Sequence, residues 1–245
     1  MENTYELNNI DENFGKKKPQ LNYEKKYSAK QKFFAELIGT TILIFVIELF
    51  GSIVYKNFKD TYSLGPLILV PITFLFGKIS GAHFNPAISL AMFLRKKIIF
   101  SELVYYIGAQ ILGSLIGNLF VFLCIQGDLE YMYNNCEQFT KDLKIGAYFA
   151  LLGFDVISTF IYVLVFFASN IKRKKYWALS GSIIGITFYV VSSFGYYVSL
   201  NPIRMFFPNI IGAIKKKGNI GIIFIDLIGP FIGAIAAGFM SILFE

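Results

Sequence analysis

Six long apolar runs divide this chain and dictate its broad fold class. They occupy residues 33–55, 64–77, 98–125, 145–169, 177–194 and 220–244. A helix needs about 20 apolar residues to cross a hydrocarbon core of about 30 Å. Composition agrees, because 55% of the 245 residues are hydrophobic and only 16% are charged, whereas soluble domains average about 25% charged residues. We therefore predict an all-α integral membrane protein with six transmembrane helices.

The positive charge of the chain lies in short blocks between the apolar runs, and the net charge is +7. Such blocks fix the orientation of membrane loops, so we expect no nucleic-acid partner. One side of the predicted topology collects 15 Lys and Arg residues and the other collects 8, including the triplet 215–217. The richer side is predicted to be cytoplasmic, with both termini inside. Residues 1–32 are polar and are expected to form a disordered cytoplasmic tail.

The two halves of the apolar region, 33–245, resemble each other. Asn85-Pro86 recurs as Asn201-Pro202 after 116 residues, and "AQILGSLIG" recurs as "IDLIGPFIG" at the same offset. "AELIGTTILIF" also matches "FDVISTFIYVL". Three segments per half give two repeats, about 33–125 and 145–244, in opposite orientations. Inverted repeats with interrupted segments point to a site at the bilayer midplane.

The stretch "SGAHFNPAISL" interrupts the second apolar run within the membrane. Irregular backbone at that depth is tolerated only where protein buries it or where it lines a water-filled cavity. After it, 85–94 can form about 15 Å of helix, half of a bilayer. We predict two half-helices that meet N-terminus to N-terminus, with Pro86 and Pro202 at their first positions. Asn85 and Asn201 would cap them and offer N–H donors.

These motifs, together with "AELIGT", "SLNPIR" and "LIGPFIG", resemble the major intrinsic protein family, the aquaporins and aquaglyceroporins, over about 33–244. Two Asn-Pro sites in corresponding halves, the second followed by Arg204, carry the resemblance. It implies six transmembrane helices, two re-entrant half-helices and passive passage of water and small uncharged solutes, without enzyme activity or a cofactor. It also implies a homotetramer in a lipid membrane, taken as the plasma membrane.

The resemblance assigns roles to residues along the passage. The midplane constriction would comprise Asn85, Pro86, Ala87, Asn201, Pro202 and Ile203. The selectivity filter would comprise Arg204, Val198, Gly65 and a fifth-segment residue between Tyr189 and Ser192. Arg204 is expected to bond to loop carbonyls, because an arginine in hydrocarbon costs about 2.5–3.5 kcal/mol.

Departures from the family pattern bear on the substrate. The fifth-segment position is not histidine, and Gly65 lacks a bulky aromatic ring, which together favour a wide filter that passes glycerol as well as water. Met205 stands where glycerol-type members usually have aspartate, and Ile203 replaces an alanine. A strictly water-selective channel, a poorly conducting structural homologue and a secondary transporter stay as alternatives.

Three ionisable groups near the loops need separate interpretation. His83 is expected to line the cytoplasmic half of the pore; a structural loop histidine and a pH switch are the other readings. Glu36 and Asp155 are expected to accept hydrogen bonds from loop N–H groups, in preference to relaying protons. Asp155 is one methylene shorter than the usual glutamate, which puts its reach in question.

Overall fold

The computed structural model describes residues 27–57, 64–128, 143–171, 177–193, 198–215 and 219–244. All secondary structure in these ranges is helical. The helices are α1 (Ala29–Asn57), α2 (Leu69–Ser80), α3 (Pro86–Leu94), α4 (Phe100–Cys124), α5 (Ile145–Ile171), α6 (Trp177–Ser193), α7 (Phe206–Ile214) and α8 (Ile220–Met240), with short 3₁₀ helices at Gly65–Ile68 and Ser241–Phe244. The predicted all-α class is confirmed.

Four of these helices are long and apolar enough to cross a membrane by length and composition. The spans are Ala29–Gly51, Phe100–Cys124, Ile145–Ser169 and Ile220–Leu243. Two shorter apolar helices, Gly65–Ser80 and Leu179–Ser193, complete the six predicted segments. The remaining helices, α3 and α7, have nine residues each, about 13 Å at 1.5 Å per residue. They are the two half-helices that the sequence predicts.

The first helix begins earlier than the sequence boundary at residue 33. Ser28 Oγ accepts a hydrogen bond from the Gln31 amide, and Gln31 Oε1 accepts one from the Ser28 amide. This reciprocal capping box satisfies two N–H groups at the start of α1. Lys32, expected in the tail, is helical and pairs with Glu102 of α4. The rest of the predicted disordered tail, 1–26, lies outside the described residues.

Helix packing follows the internal repeat. In the first half α1 packs along α4, and in the second half α5 packs along α8. Across the halves, α2 packs on α6 and α3 packs on α8, while α3 also contacts α4 within its own half. The pairs α1–α4 and α5–α8 correspond in the sequence repeat, so the three-dimensional arrangement carries the same symmetry as the sequence.

Glycines set the close approach within both of these pairs. A Cβ added at Gly113 would lie 2.6 Å from the Leu37 carbonyl oxygen, and one at Gly233 would lie 2.4 Å from the Val156 carbonyl oxygen. Both distances are too short for a side chain, so the backbones meet at glycine, as small residues allow in membrane helices. Gly113 and Gly233 belong to the two copies of the repeated glycine motif.

The two interrupting loops lie inside the protein. Ala82, Phe84, Val198 and Leu200 belong to the main apolar core, together with side chains from α1, α5 and α6. In contrast, large apolar residues on the outer helix faces are exposed, including Phe74, Val104, Leu123, Phe149, Ile157 and Phe224. An apolar exterior around a core that contains irregular backbone is what a bilayer requires.

Candidate functional site

The two asparagines of the repeated motif are bonded to each other's loops. Asn85 Nδ2 donates to the Leu200 carbonyl at 2.7 Å, and Asn201 Nδ2 donates to the Phe84 carbonyl at 2.9 Å. Both asparagines are at most 2% exposed. A side-chain amide carries two N–H groups, so each asparagine retains one beyond this bond. Two positions far apart in sequence thus form one reciprocal junction between the halves.

The carbonyls that accept these bonds belong to residues in an uncommon backbone conformation. Phe84 has φ +49° and Leu200 has φ +56°, in corresponding positions of the two loops. A non-glycine residue in this region costs of the order of 1–2 kcal/mol, and such strain concentrates at functional sites. Both side chains are fully buried, and the Phe84 ring lies directly on the backbone of Gly39. Packing therefore holds the two loops in the turned conformation.

The first half-helix starts as predicted and the second does not. Asn85 caps α3 by accepting from the Ala87 amide at 2.8 Å, and Pro86 is the first helical residue. Pro202 instead lies in a turn, and α7 begins only at Phe206. The prediction that Pro202 occupies the first helical position is wrong.

The first turn after Asn201 closes differently from the one after Asn85, whose carbonyl accepts from the Ser89 amide four residues on. The Arg204 amide bonds to the Asn201 carbonyl at 3.0 Å, which closes a tight turn. Ile203 bonds outward, because its carbonyl accepts from Ser114 Oγ of α4 at 2.9 Å. Its amide reaches the Asn201 side chain at 3.3 Å, longer than the equivalent bond in the first half. The segment is therefore tied to its surroundings rather than to a regular first turn.

Glu36 of α1 supports the first loop. Its carboxylate accepts from the His83 amide at 3.0 Å and from the Phe84 amide at 2.7 Å. It also accepts from Ser80 Oγ at 2.6 Å and Gln110 Nε2 at 2.8 Å. The side chain is fully buried. Loop amides without a helical partner would otherwise be buried unpaired, which is costly.

Asp155 of α5 does the same for the second loop with a shorter side chain. Its Oδ1 accepts from the Ser199 and Leu200 amides, both at 3.0 Å. Its Oδ2 accepts from Ser199 Oγ at 3.1 Å. Asp226 of α8 extends this network, because its carbonyl accepts from Ser199 Oγ and its carboxylate accepts from Asn209 of α7. The shorter acid therefore does reach the loop amides.

His83 is buried in the first loop. It is 1% exposed, its Nδ1 lies 3.1 Å from Ser89 Oγ, and its ring packs edge-on against Tyr106 and Phe166. In this conformation the ring packs against residues of α3, α4 and α5 and presents little surface to a passage. A pore-lining role for His83 stays a prediction.

Arg204 lies where the second loop meets α1. Its Nε donates to the Ser199 carbonyl at 3.0 Å and its Nη2 donates to the Val198 carbonyl at 2.7 Å. Its Nη1 lies 3.5 Å from the Glu48 carboxylate of α1. Sequence reasoning did not assign a role to Glu48. One signal could have indicated the pair. Glu48 is an acid within an apolar run, Arg204 is an arginine at membrane depth, and charged side chains in such segments usually pair.

The other filter candidates are less closely connected to Arg204. The Val198 carbonyl accepts a hydrogen bond from Arg204 Nη2. Gly65 is buried at the start of the 3₁₀ helix, which packs between α1 and α6. Tyr189 and Ser192 are joined by a bond inside α6, from Ser192 Oγ to the Tyr189 carbonyl at 2.9 Å.

Comparisons with known proteins agree with the geometry. A family model described as major intrinsic protein matches residues 22–241. The chain is 31% identical over 212 residues to Aquaporin-4 of Dipodomys merriami, covering 80% of this chain and 62% of that protein. It is 28% identical over 233 residues to the glycerol uptake facilitator protein of Streptococcus pneumoniae, covering 87% and 99%. The X-ray structure of the aquaglyceroporin from Plasmodium falciparum aligns with a TM-score of 0.68 and 21% identity, over 87% of this chain and 96% of that one, a likeness of fold.

Proposed function

Because this chain belongs to the major intrinsic protein family, we propose that it is a passive channel for water and for glycerol or similar small uncharged solutes. Similarity to relatives of both kinds, an aquaporin and a glycerol uptake facilitator, supports this breadth. The observation that carries the proposal is the reciprocal junction, in which Asn85 donates to the Leu200 carbonyl and Asn201 donates to the Phe84 carbonyl.

At this junction an uncharged solute can accept hydrogen bonds while a cation is repelled. One N–H of each asparagine is left for a passing oxygen atom. The N-terminus of a helix carries a partial positive charge of roughly half a unit, and α3 begins directly beside Asn85. In aquaporin-type channels it is established that half-helix dipoles and an arginine exclude cations and protons. We assign these roles here to α3, α7 and Arg204.

The filter that we propose consists of Arg204, Val198, Gly65 and either Tyr189 or Ser192. Val198 and Ser199 hold the guanidinium through their carbonyls, which leaves its remaining donors for other partners. Gly65 presents no side chain, and this supports a filter wide enough for glycerol. Pro86, Ala87, Pro202 and Ile203 would form the midplane walls, with His83 on the cytoplasmic side.

We further propose a homotetramer in the plasma membrane with both termini in the cytoplasm. The excess of Lys and Arg on the predicted inner side supports this orientation. Native mass spectrometry of detergent-extracted protein tests the oligomer, and a mass of one or two chains would contradict it.

Stopped-flow light scattering on proteoliposomes tests the channel itself. Osmotic water flux and glycerol uptake should both exceed those of empty liposomes and should not respond to an imposed ion gradient. Water flux with glycerol uptake at the control level would instead indicate a strictly water-selective channel. No flux of either would indicate a poorly conducting homologue, and a response to the ion gradient would indicate a secondary transporter.

A further inference from the structure

Ser114 of α4 reaches across the repeat to the turn that carries Arg204. Its side chain is fully buried, and its Oγ donates to the Ile203 carbonyl at 2.9 Å, across 89 positions. A serine inside a helix can instead bond to the carbonyl four residues earlier in its own helix, which here is that of Gln110. Ser114 donates to the other half of the protein, so the bond links the two repeats beside the proposed constriction.

Asn118, one turn further along α4, orients the Ser114 hydroxyl. Its Nδ2 donates to the Ser114 carbonyl at 2.9 Å and lies 3.4 Å from Ser114 Oγ. A hydroxyl has one hydrogen to donate and two lone pairs that accept. Because the Asn118 amide lies on the accepting side, the hydroxyl hydrogen is directed toward Ile203. Asn118 is 6% exposed, so little water competes for these bonds.

The Ser114 bond holds one end of a single peptide plane. The peptide unit between Ile203 and Arg204 is planar, and its carbonyl accepts from Ser114. Its N–H, the Arg204 amide, donates to the Asn201 carbonyl at 3.0 Å. Both polar ends of the plane are therefore held, and the plane sets where the side chains of Ile203 and Arg204 begin.

The corresponding positions of the other half cannot form this bond. At the repeat offset of 116 residues, Ser114 corresponds to Pro230 and Ile203 corresponds to Ala87. A proline side chain carries no hydrogen-bond donor, so Pro230 cannot bond to the Ala87 carbonyl as Ser114 bonds to that of Ile203. The Ser114 bond therefore belongs to the segment in which the two motifs differ, and the symmetry of the repeat does not explain it.

We propose that Ser114, oriented by Asn118, is a positioning residue for solute selectivity. It holds the Ile203 backbone toward α4 and so keeps the proposed midplane constriction wide enough for glycerol. The inference rests on the proposed channel function. Ser114 is fully buried, whereas the Arg204 side chain is 17% exposed. The bond therefore holds the shared peptide plane toward the interior and away from the space that Arg204 borders.

Deleting the hydroxyl should make the channel more selective for water. In Ser114→Ala the Ile203 carbonyl loses this donor, the peptide plane can rotate, and the Ile203 side chain gains positions nearer the passage. Glycerol fills more of a narrow passage than water does, so its flux is affected more. We expect the ratio of glycerol flux to water flux to fall by about threefold or more, within the range that the net contribution of one hydrogen bond allows.

Four proteins form the test: the unchanged chain, Ser114→Ala, Ser114→Thr and Ser180→Ala. Water flux and glycerol flux are measured for each by stopped-flow light scattering on proteoliposomes, and the melting temperature is measured in detergent. Ser114→Thr keeps a hydroxyl and should retain most of the original flux ratio. Ser180→Ala is the matched control, because Ser180 Oγ of α6 donates to the Ser169 carbonyl of α5 at 3.0 Å. This bond is likewise buried between helices but lies outside the proposed constriction, so its loss should leave the ratio unchanged.

The flux ratio distinguishes positioning from a contribution to stability alone. If the ratio falls in Ser114→Ala and holds in Ser180→Ala, the assignment is supported, even where Ser114→Thr does not fold. A folded Ser114→Thr that fails to restore the ratio would contradict a role for the hydroxyl. If Ser114→Ala lowers the melting temperature and leaves the ratio unchanged or raised, Ser114 is structural only, although the channel function stands. If the unchanged chain does not pass both solutes, the proposed function fails and the selectivity role fails with it.

Discussion

The first loop and the second loop reach the same junction through different local structures. In the first, Glu36 accepts four hydrogen bonds and the half-helix begins at the residue after Asn85. In the second, Asp155 accepts three, and regular helix is delayed until Phe206. The backbone at Phe84 and Leu200 is nevertheless the same, with φ +49° and +56°.

The two loops are therefore held in different ways, although both contribute to the same junction. The first loop is tied on one side to a single acid, Glu36, and leads straight into a helix, so its position is fixed. In the second loop, residues 202–205 form a turn before α7 begins. The Ile203 carbonyl in this turn accepts a hydrogen bond from Ser114 of the other half. That turn carries Arg204, and its neighbouring carbonyls hold the guanidinium. The two halves therefore share the asparagine junction and differ in the segment that follows it.

The largest expected effect comes from Gly39→Ala, which tests how the first loop is held. The new Cβ would lie 2.0 Å from the Phe84 ring, and the fully buried ring has little room to move. We expect a loss of about 3 kcal/mol or more, the upper end of overpacking costs, seen as a lower melting temperature and less monodisperse protein in detergent. Gly153→Ala is the control, because its Cβ meets nothing within 4 Å.

The same substitution can also sharpen the comparison between the loops. In the sequence repeat Gly39 corresponds to Ser158, and Phe84 corresponds to the smaller Leu200. Phe84→Leu should therefore make room for the methyl group that Gly39→Ala introduces, so that Gly39→Ala costs less in that background than in the unchanged chain. Equal costs in both backgrounds would contradict the idea that ring size in the first loop requires a glycine in α1.

An intermediate effect is expected when the two supporting acids are neutralised. Glu36→Gln replaces one carboxylate oxygen with an NH₂ group, which then faces either the Phe84 amide and Gln110 or the His83 amide and Ser80 Oγ. Leaving buried donors unpaired costs about 1–3 kcal/mol. Asp155→Asn should cost less, because Ser199 Oγ has the Asp226 carbonyl as a second acceptor. Thermal unfolding of the two variants measures the difference. An equal or larger loss for Asp155→Asn would show that the second loop depends on its acid just as strongly.

Much of this architecture can be predicted from the sequence, because apolar runs and the repeated motif are visible in short contiguous stretches of residues. Apolar runs give the six segments, and two Asn-Pro sites give the half-helices. The sequence also contains a signal for the start of α1, since Ser28 and Gln31 have the spacing of a capping box. That signal competes with the lysines of the same stretch, which suggest a polar tail.

What could not be predicted depends on contacts between distant residues. The Asn-Pro pattern gives no information on Ser114, which donates a hydrogen bond to the Ile203 carbonyl from the other half of the protein. Likewise, the sequence shows several acids in apolar runs, among them Glu48 and Asp226, but only the fold shows that Glu48 lies within 3.5 Å of Arg204, across 156 positions. Pairing of charges across an inverted repeat is a tertiary property.

The smallest expected effect, and the one that tests the difference between the two motifs most directly, is that of Ile203→Ala. It gives the second motif the Asn-Pro-Ala sequence of the first. The Ile203 backbone is held by Ser114 and Asn201, so the loop should keep its shape while the constriction widens. Glycerol flux should rise by about threefold, less than the tenfold or more that a methylene can cost in a closed pocket.

Ile203→Ala should also cost less stability than the about 2–5 kcal/mol of a sealed core truncation, because Ile203 is 6% exposed and is proposed to border the passage. Ala87→Ile is the reciprocal variant. Ala87 is fully buried, so the larger side chain should lower both stability and flux. Unchanged glycerol flux in Ile203→Ala, with full core-like destabilisation, would mean that Ile203 packs in the interior and that the two motifs differ for structural reasons alone.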